Sequence, residues 1–355
     1  MEQQRSAATL RLIDTAIASV QGEKDREPVV TMMNELAHYY ELAARVRWLQ
    51  TNDGEGALAS LRLATQRMHE VILPAAARLD AADRSLLDAA YDRSWQDSRL
   101  HEAEAIGCEL LLASALIAVQ AFVRRRMRRR VVPAALAATL LSIVFTAFAV
   151  NRFHAARENL RVARDDAFNS MHLLWRATSL AYDARGDESR WLFDRARAAD
   201  YEAAFRTKTH QILSRPGAWL VGSSDVQSGR ITGLLVDEAR NVTFAHEGRA
   251  VEVSMLAFSQ FVAADEALRS AEAKGNYTDA AGRCVGSGYD GSRATFDRLD
   301  AALADTIAIN RRAFDDAIAD SDRGLARAEW LDPAFAIAIV LLTWLGVRPR
   351  LREYP

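Results

Sequence analysis

Three long apolar stretches stand out in a chain that is otherwise amphipathic. Residues 105–123 contain a single charge, Glu109, whereas residues 131–150 and 333–347 contain none. A helix needs about 20 mostly apolar residues to cross the ~30 Å hydrocarbon core of a bilayer. The first two stretches meet that length, and the third meets it when it is extended back to Trp330. The pattern predicts transmembrane helices at 105–123, 131–150 and 330–347; a soluble core helix is the alternative for the third alone.

Arginines cluster at the ends of these stretches. Residues 124–130 carry +6, and residues 348–355, with three arginines and one glutamate, carry +2. Taking that +8 from the net charge of −2 leaves −10 for the rest of the chain. Because positive loops stay inside, we expect 124–130 and 348–355 to be cytoplasmic and 1–104 and 151–329 to be extracytoplasmic. The residues that set this topology are Arg124, Arg125, Arg126, Arg128, Arg129, Arg130, Arg348, Arg350 and Arg352.

The arginine cluster has one other reading, a nucleic-acid patch. Two almost uncharged apolar helices bracket it, which is not typical of such a patch, so we expect no nucleic-acid partner. The expected contact is the lipid bilayer, whose anionic headgroups attract arginines.

The segments outside the apolar stretches have helical periodicity. Proline and glycine positions suggest the helix ends. The predicted helices are 6–21, Pro28–Gln50, one from residue 58 that Pro74 kinks or ends, one from Asp80 into the first span, 151–185 ended by Gly186, and 187–214. Two more follow, one with its stripe at Ala257, Phe261, Ala264, Leu268 and Ala271, and one with Leu299, Leu303, Ile307, Asn310 and Phe314 that leads into the third span.

Residues 218–248 are less regular. Ile231–Val236 and Val242–Phe244 are short β-prone runs, which predict either a small hairpin near 230–246 or an ordered loop. The predicted fold class is therefore all-α, a membrane protein with three transmembrane helices and two extracytoplasmic helical-bundle regions. The second region, 151–329, is expected to be a four-helix bundle whose first and last helices continue into the membrane.

Catalytic motifs are missing from the sequence. It has no glycine-rich phosphate loop, no His-Glu-x-x-His, no paired cysteines and no Gly-x-Ser-x-Gly. The seven histidines are scattered, so no metal site and no cofactor are expected. Cys284 is the lone cysteine outside the apolar stretches, which leaves only an intermolecular bridge open to it. We expect a protein that is not an enzyme.

Two polar residues inside apolar patterns have alternative readings. Glu109 either takes part in a proton or ion relay, because an ionisable group in a span is costly, or snorkels to the nearby interface; the second reading is the simpler. Asn310 interrupts an apolar stripe, and either fixes helix register or points to solvent.

Asp187 and Glu188 could bind a cationic ligand. The simpler reading is that they complement the dipole in the first turn of a helix. Asn241 and Asn276 begin glycosylation sequons, which are common by chance. The candidate partner or ligand contacts are Asp187, Glu188, Arg190, Trp191, Asn241 and Glu247.

The N-terminal region carries no export signal, since residues 1–22 read as an amphipathic helix with no apolar run and cleavage site. An extracytoplasmic N-terminal region needs such a signal, so we expect a further span upstream.

Four segments together resemble a known family. They are Gly54-Glu55-Gly56-Ala57 with the following Leu61–Ala76 region, Leu174-Trp175-Arg176-Ala177 with Ala184–Ser189, Gly233-Leu234-Leu235 with Asn241–Phe244, and the ending Leu345–Tyr354. In order and spacing they are similar to the GlnX-type four-pass membrane proteins, best known in actinobacteria. The similarity covers nearly the whole chain.

That resemblance implies a signalling role. Such proteins work with an extracytoplasmic amino-acid-binding lipoprotein for glutamate, glutamine or aspartate, and pass the signal to a cytoplasmic serine/threonine kinase. The family has a span before its first outer domain, and this chain departs from it there. The resemblance supplies no catalytic residues.

Three functions remain open on the sequence. The first is a transmembrane signalling subunit that relays amino-acid availability. The second is a direct small-molecule sensor with a chemoreceptor-like four-helix ligand domain, which could be a homodimer. The third is a structural or transporter-accessory membrane protein.

Overall fold

The protein is described here by a computed structural model. It describes residues 23–127, 133–217, 221, 223–286, 288 and 290–351, and over these residues the chain is helical with no β-strand. The all-α prediction is confirmed. The chain forms two compact units, Met1–Ser94 and Trp95–Pro355. The predicted helix 6–21 lies outside the described residues.

The first unit contains a helical hairpin. Helix α1, Glu23–Leu49, and helix α2, Gly54–Arg67, are joined by a turn in which the Asp53 side chain accepts a hydrogen bond from the Gly56 N–H. An Arg67–Glu35 ion pair ties the two helices together at 2.9 Å. The predicted start at Pro28 is wrong, because the helix begins five residues earlier. An early proline omits only one backbone bond, so the helix tolerates it.

Pro74 does not end its helix. A π-helical segment, Met68–Ile72, follows α2 and leads directly into helix α3, Leu73–Met127. The Leu73 N–H bonds the Met68 carbonyl across this wider turn. Since Pro74 has no N–H and its ring crowds the carbonyl four residues before it, a wider turn at this point accommodates it. The predicted new start near Asp80 is also wrong, since α3 is continuous there.

All three apolar stretches lie in long helices. The first occupies the end of α3, the second the start of helix α4, Pro133–Arg161, and the third the end of helix α11, Ser292–Leu351. By length and composition the first two can cross a bilayer, and Trp330–Gly346 is a shorter apolar segment.

The apolar side chains of these segments face outward. Only 6% of the apolar window in the first and 22% in the second is buried. In the third, Ile337 is 60% and Val340 65% exposed. A core helix of a soluble protein buries such residues, and an apolar face this large calls for a lipid or protein cover. The helices therefore fit an all-α membrane protein.

The larger helical domain continues from α4. A second π-helical segment, Val162–Phe168, leads into helix α5, Asn169–Phe193. The elements that follow are a 3₁₀ turn Arg195–Arg197 and helices α6 Ala198–Ile212, α7 Ser224–Gln227, α8 Leu234–Asn241, α9 Glu247–Ala273 and α10 Tyr277–Val285, before α11.

The core of this domain is shared by α5, α6, α8, α9 and α11. Its fully buried side chains include Leu174, Ile212, Leu235, Phe258 and Leu299. The predicted α9 stripe is buried throughout, and the first residues of the α11 stripe, Leu299 and Leu303, are also buried. Both stripes are confirmed.

Three predictions for this domain are wrong. The helix predicted over 187–214 is divided at Asp194 between the end of α5 and α6. Gly186 does not end a helix, because α5 runs through it to Phe193. The missing Cβ leaves room for the Arg190 guanidinium, whose Nη1 lies 3.0 Å from where a Cβ would be. The β-prone runs near 230–246 form no hairpin, since residues 234–241 are the helix α8.

Gly233 lies where the first of these runs, Ile231–Val236, becomes helical. Its φ of +128° is open to glycine, and a Cβ there would lie 2.6 Å from the Ile212 carbonyl oxygen. The chain therefore bends sharply against the end of α6 and begins α8. Leu234 and Leu235 are themselves good helix formers, so the β-propensity of this run lies in Ile231, Thr232 and Val236.

Candidate functional site

Polar contacts join the apolar segments to one another. Glu109 of α3 accepts hydrogen bonds from the Ser142 hydroxyl at 2.9 Å and the Thr146 hydroxyl at 3.3 Å, both on α4. The simpler reading of Glu109, a side chain that snorkels to the interface, is wrong because the carboxyl group faces the neighbouring helix. Two hydroxyl donors give this half-buried side chain a structural role in pairing α3 with α4.

Ion pairs lie at the ends of the apolar segments. Arg152 of α4 binds Asp332 of α11 through two bonds of 3.0 and 3.1 Å. Arg157 of α4 binds Glu102 of α3, and this bond lowers the pKa of Glu102. The α4 helix is thus tied to both of its apolar neighbours just beyond the uncharged stretch.

The topology arginines lie at helix ends as far as they are described. Arg124, Arg125 and Arg126 are in the last turn of α3, and Arg348 and Arg350 are in the last turn of α11. The Arg348 guanidinium lies 4.4 Å from the centre of the Trp344 ring. Arg128, Arg129, Arg130 and Arg352 lie outside the described residues.

Four candidate contact residues, Asp187, Glu188, Arg190 and Trp191, lie together where α5 ends and α11 begins. We call these four residues and their neighbours the tip cluster; the neighbours are Asp183, Lys208, Arg269, Cys284 and Ser292. Asp187 is 2% exposed and binds both Arg190 and Lys208 at 2.5 Å. Asp183 also binds both cations, at 3.1 and 2.7 Å. The first-turn reading of Asp187 and Glu188 is wrong, since both are deep inside α5.

Glu188 is completely buried in the tip cluster. The Ser292 hydroxyl lies 2.7 and 2.6 Å from its two oxygens, and the Cys284 thiol lies 3.4 Å from one of them. Burial raises the pKa of Glu188 to about 7, although the hydroxyl bond favours the ionised form. Burial likewise raises the pKa of Cys284 to about 11, which makes it a poor thiolate nucleophile.

Trp191 is 7% exposed and lies between two arginines. The Arg269 guanidinium is 4.6 Å and that of Arg195 5.8 Å from its ring centre. Arg269 in turn binds Asp265 at 2.7 Å. Asp183, Asp187 and Asp265 are each paired with a cation. Arg190 Nε and Arg269 Nη1 are buried without a hydrogen-bond partner in the described residues, so the network is largely but not fully satisfied.

The other two candidates, Asn241 and Glu247, belong to a second group. We call it the bridging cluster; its members are Asp166, Ser170, Glu238, Asn241, Glu247 and Asn310. The Asn241 Nδ2 group donates to the Asp166 carbonyl at 3.0 Å and to the Ser170 hydroxyl at 2.8 Å. Asn241 therefore fastens α8 to the π-helical segment and the start of α5.

Glu238 and Glu247 are both 0% exposed. One Glu247 oxygen accepts the Thr243 and Phe244 N–H groups at 2.7 and 2.9 Å, which closes the loop before α9. The Asn310 Nδ2 lies 3.4 Å from Glu238 Oε1, so α8 also contacts α11. Asn310 is 0% exposed, and the reading that it points to solvent is wrong.

Four acceptor oxygens of this cluster have no donor among the described residues. They are Asp166 Oδ2, Glu238 Oε2, Glu247 Oε1 and Asn310 Oδ1. Neither glutamate forms an ion pair within the described part of the chain. Burial, and then repulsion from Glu247, raises the pKa of Glu238 to about 7.

Sequence reasoning missed Glu238. It lies in the run Leu234–Ala239, whose apolar residues had been read as strand. At helical spacing the same run places Glu238 beside Leu234 and Leu235 on a buried face. Within the described residues no group of three or more His, Cys, Asp or Glu side chains is placed to hold a metal ion.

The fold and these polar contacts define an all-α protein with apolar helices suited to a membrane. A family model described as "Actinobacterial sensor domain" matches residues 2–92, about a quarter of the chain. The match suggests a bacterial membrane sensor protein. No curated protein and no solved structure is significantly similar to the chain.

Proposed function

We propose that this protein is a non-enzymatic transmembrane signalling subunit. It relays amino-acid availability from an extracytoplasmic binding lipoprotein to a cytoplasmic partner, a serine/threonine kinase. The ligand class and both partners come from the resemblance to the GlnX-type proteins. The sensory role draws support from the sensor-domain match, and the membrane location from the exposed apolar helices.

The observation that carries the proposal is the continuity of α11. This single helix of 60 residues holds core residues of the large domain at one end and the third apolar segment at the other. The α4 helix reaches the same domain through the π-helical segment, and the Arg152–Asp332 pair links α4 to α11. A shift of such helices along or about their axes is a known route for transmitting signals.

The proposed orientation follows the arginines. Residues 124–130 and 348–355 lie on the cytoplasmic side, and 1–104 and 151–329 lie outside. In this arrangement 151–329, taken as a four-helix bundle, receives the lipoprotein, and the short arginine-rich elements contact the kinase.

The test separates reception from transmission. Full-length protein is recovered from membranes with and without glutamate, glutamine or aspartate, and co-purifying lipoprotein and kinase are measured. Asp322→Pro interrupts α11 at an exposed position between the large domain and the third apolar segment. We expect this variant to keep the lipoprotein and lose the ligand-dependent kinase response, and Asp322→Ala, the matched control, to keep both.

Two outcomes would overturn the relay. Recovery of neither partner under any condition leaves a structural or transporter-accessory role. Ligand binding by the purified protein without a lipoprotein would establish direct sensing instead.

A further inference from the structure

The bridging cluster is short of hydrogen-bond donors. Glu238 Oε2, Glu247 Oε1 and Asn310 Oδ1 are buried acceptors without a donor in the described residues. The Glu238 carboxyl group also lies within hydrogen-bonding range of the Glu247 carboxyl and of Ser170. Two ionised carboxylates cannot bond each other, but a single proton placed on one turns the repulsion into a hydrogen bond.

Charges on the surrounding elements do not supply that compensation. On the π-helical segment, one carboxyl oxygen of Asp166, Oδ1, binds Arg161, and the other, Oδ2, is buried without a donor in the described residues. On α8 itself, Arg240 turns away to the Val226 carbonyl, with its guanidinium 2.6 Å from that oxygen. His172 of α5 lies about 200° around the helix from Ser170.

The remaining neighbours are neutral or acidic. From α11 the residue that faces Glu238 is Asn310, and one turn before it Thr306 contacts Ser254 of α9 at 3.1 Å. From α9 the facing residue is Glu247 itself. The cluster therefore combines two buried carboxyl groups that have no cation partner among the described residues, whereas Asp183 and Asp187 of the tip cluster are paired with Arg190 and Lys208.

The position of the bridging cluster in the fold allows one proton to affect two long helices. Through Asn241, α8 holds the π-helical segment that joins α4 to α5, and through Glu238 it reaches Asn310 on α11. Asn310 lies 20 residues before Trp330, or about 30 Å along the helix. The short helix α8 thus bridges the two helices that run into the apolar segments.

We propose that Glu238 and Glu247 form a proton-binding site that holds α8 between the two span-continuous helices and releases them when the shared proton is lost. With the proton bound, the carboxyl pair is joined and the bridge is closed. With the proton lost, two like charges face each other in a buried place. The Ser170 and Asn310 donors favour the ionised form of Glu238, so the repulsion between the two carboxylates has to exceed these bonds for α8 to move away and open the bridge. The raised pKa of Glu238, about 7, is consistent with titration near neutrality.

The proposal deepens the proposed relay, since it supplies a regulator for the same helices and rests on their transmitting role. Proton uptake itself needs no partner. A failure of the proton site would leave the lipoprotein-dependent response at fixed pH untouched, and a failure of that response would leave the proton effect measurable.

The test uses full-length protein in lipid nanodiscs without a binding protein. Cys108→Ser removes the exposed thiol, and spin labels are placed at Ser179→Cys on α5 and Ala319→Cys on α11, both exposed positions. We expect the label-to-label distance distribution to widen between about pH 5 and about pH 9, which bracket the titration of a buried carboxyl group.

The decisive variant is Glu238→Gln, which carries the neutral form at every pH. It should hold the narrow, low-pH distribution throughout. The matched control is Glu188→Gln, a buried glutamate with a pKa raised to the same extent but with its own hydroxyl donor; it should leave the pH response as in the unmodified protein.

An unchanged pH response in Glu238→Gln, or an equal loss in Glu188→Gln, would refute the switch. If Glu238→Gln does not fold, the infrared C=O stretch of the Glu188→Gln variant decides, because Glu188 then contributes no carboxyl band. A protonated-carboxyl band of that variant that disappears over this pH range supports the site, and its absence rejects it.

Discussion

The tip cluster and the bridging cluster bury the same kind of group and treat it differently. In each, burial raises the pKa of one glutamate to about 7. Glu188 of the tip cluster has the Ser292 hydroxyl against both of its oxygens, and the neighbouring carboxylates are paired with Arg190 and Lys208. Glu238 of the bridging cluster has the Ser170 hydroxyl and a 3.4 Å contact with the Asn310 amide, but one of its oxygens has no donor in the described residues and a second glutamate lies beside it.

The difference shows that burial alone does not make a functional carboxyl group. Desolvation sets the pKa of both glutamates near neutrality, but the supply of donors decides what ionisation does to the structure. Where both carboxyl oxygens have donors, the ionised glutamate is stabilised in place. Where an oxygen has no donor, the carboxyl group must either take up a proton or move towards solvent. We therefore expect the tip cluster to hold the domain together and the bridging cluster to respond to conditions.

The largest expected effect is at Asp187. Asp187→Ala leaves Arg190 and Lys208 buried with only Asp183 to share, and removing one partner of a buried ion pair costs about 3 kcal/mol or more. Thermal unfolding of the full-length protein in detergent measures the loss. Arg311→Ala, which removes an exposed ion pair with Asp315, is the control and should change stability little. Equal effects would contradict the structural role of the tip cluster.

The next effect is a pH-dependent gain at Glu238. Because the folded-state pKa is raised from 4.5 to about 7, the folded protein holds a proton that the unfolded chain has released between these values. Stability therefore falls as pH rises from about 4.5 to about 7 and is level above. Glu238→Gln does not titrate, so it should be more stable than the unmodified protein at pH ~8 and about equally stable at pH ~5. The expected gain at pH ~8 is on the order of 3 kcal/mol, since a change of one unit in pKa corresponds to ~1.36 kcal/mol. A gain independent of pH would argue against a titrating Glu238.

Ser292→Ala should make Glu188 of the tip cluster resemble Glu238 of the bridging cluster, because it removes a hydroxyl donor to the buried carboxyl group. Without the hydroxyl donor the ionised Glu188 is less stabilised, so its pKa rises further. We expect a loss of roughly 1–3 kcal/mol at pH ~8 and a smaller loss at pH ~5, where Glu188 is protonated. Adding Glu188→Gln should remove the pH dependence of that loss, and unfolding curves at both pH values decide whether it does.

The smallest effect belongs to Cys284. Cys284→Ser exchanges one donor to Glu188 for another, so stability should change by less than ~1 kcal/mol. In the folded protein the buried thiol, with its raised pKa, should react with iodoacetamide far more slowly than exposed Cys108. Rapid alkylation of Cys284 would mean that the tip cluster opens readily.

Much of the architecture could be read from the chain because it depends on periodicity. The apolar stretches, the α9 and α11 stripes and the end of α9 at Gly275, whose φ is +80°, are local patterns that do not need a partner to be recognised. The errors occurred where a local signal competed with packing. Pro74 and Gly186 normally end helices, but a π-helical turn at one and the Arg190 side chain at the other keep the helix intact.

The candidate residues divide in the same way. Asn310 could be identified from the sequence, because it is a single amide in an otherwise apolar row at helical spacing. Glu238 was not found because the strand prediction for Ile231–Val236 concealed the start of α8. The bend at Gly233, whose backbone lies close to the Ile212 carbonyl, is a tertiary contact that the sequence does not show. The ligand role of Asp187, Glu188, Arg190, Trp191, Asn241 and Glu247 stays a prediction.

The sequence by itself determined that the chain is helical, where its apolar segments lie and where its arginines collect, because these depend on composition and on a repeat of 3.6 residues. Only the tertiary structure decided which charges meet. Asp187 and Lys208 are 21 residues apart, and Glu238 and Asn310 are 72 apart. Whether a buried carboxyl group finds a cation, a hydroxyl or a second carboxyl depends on how distant helices pack, and no local pattern encodes that distance.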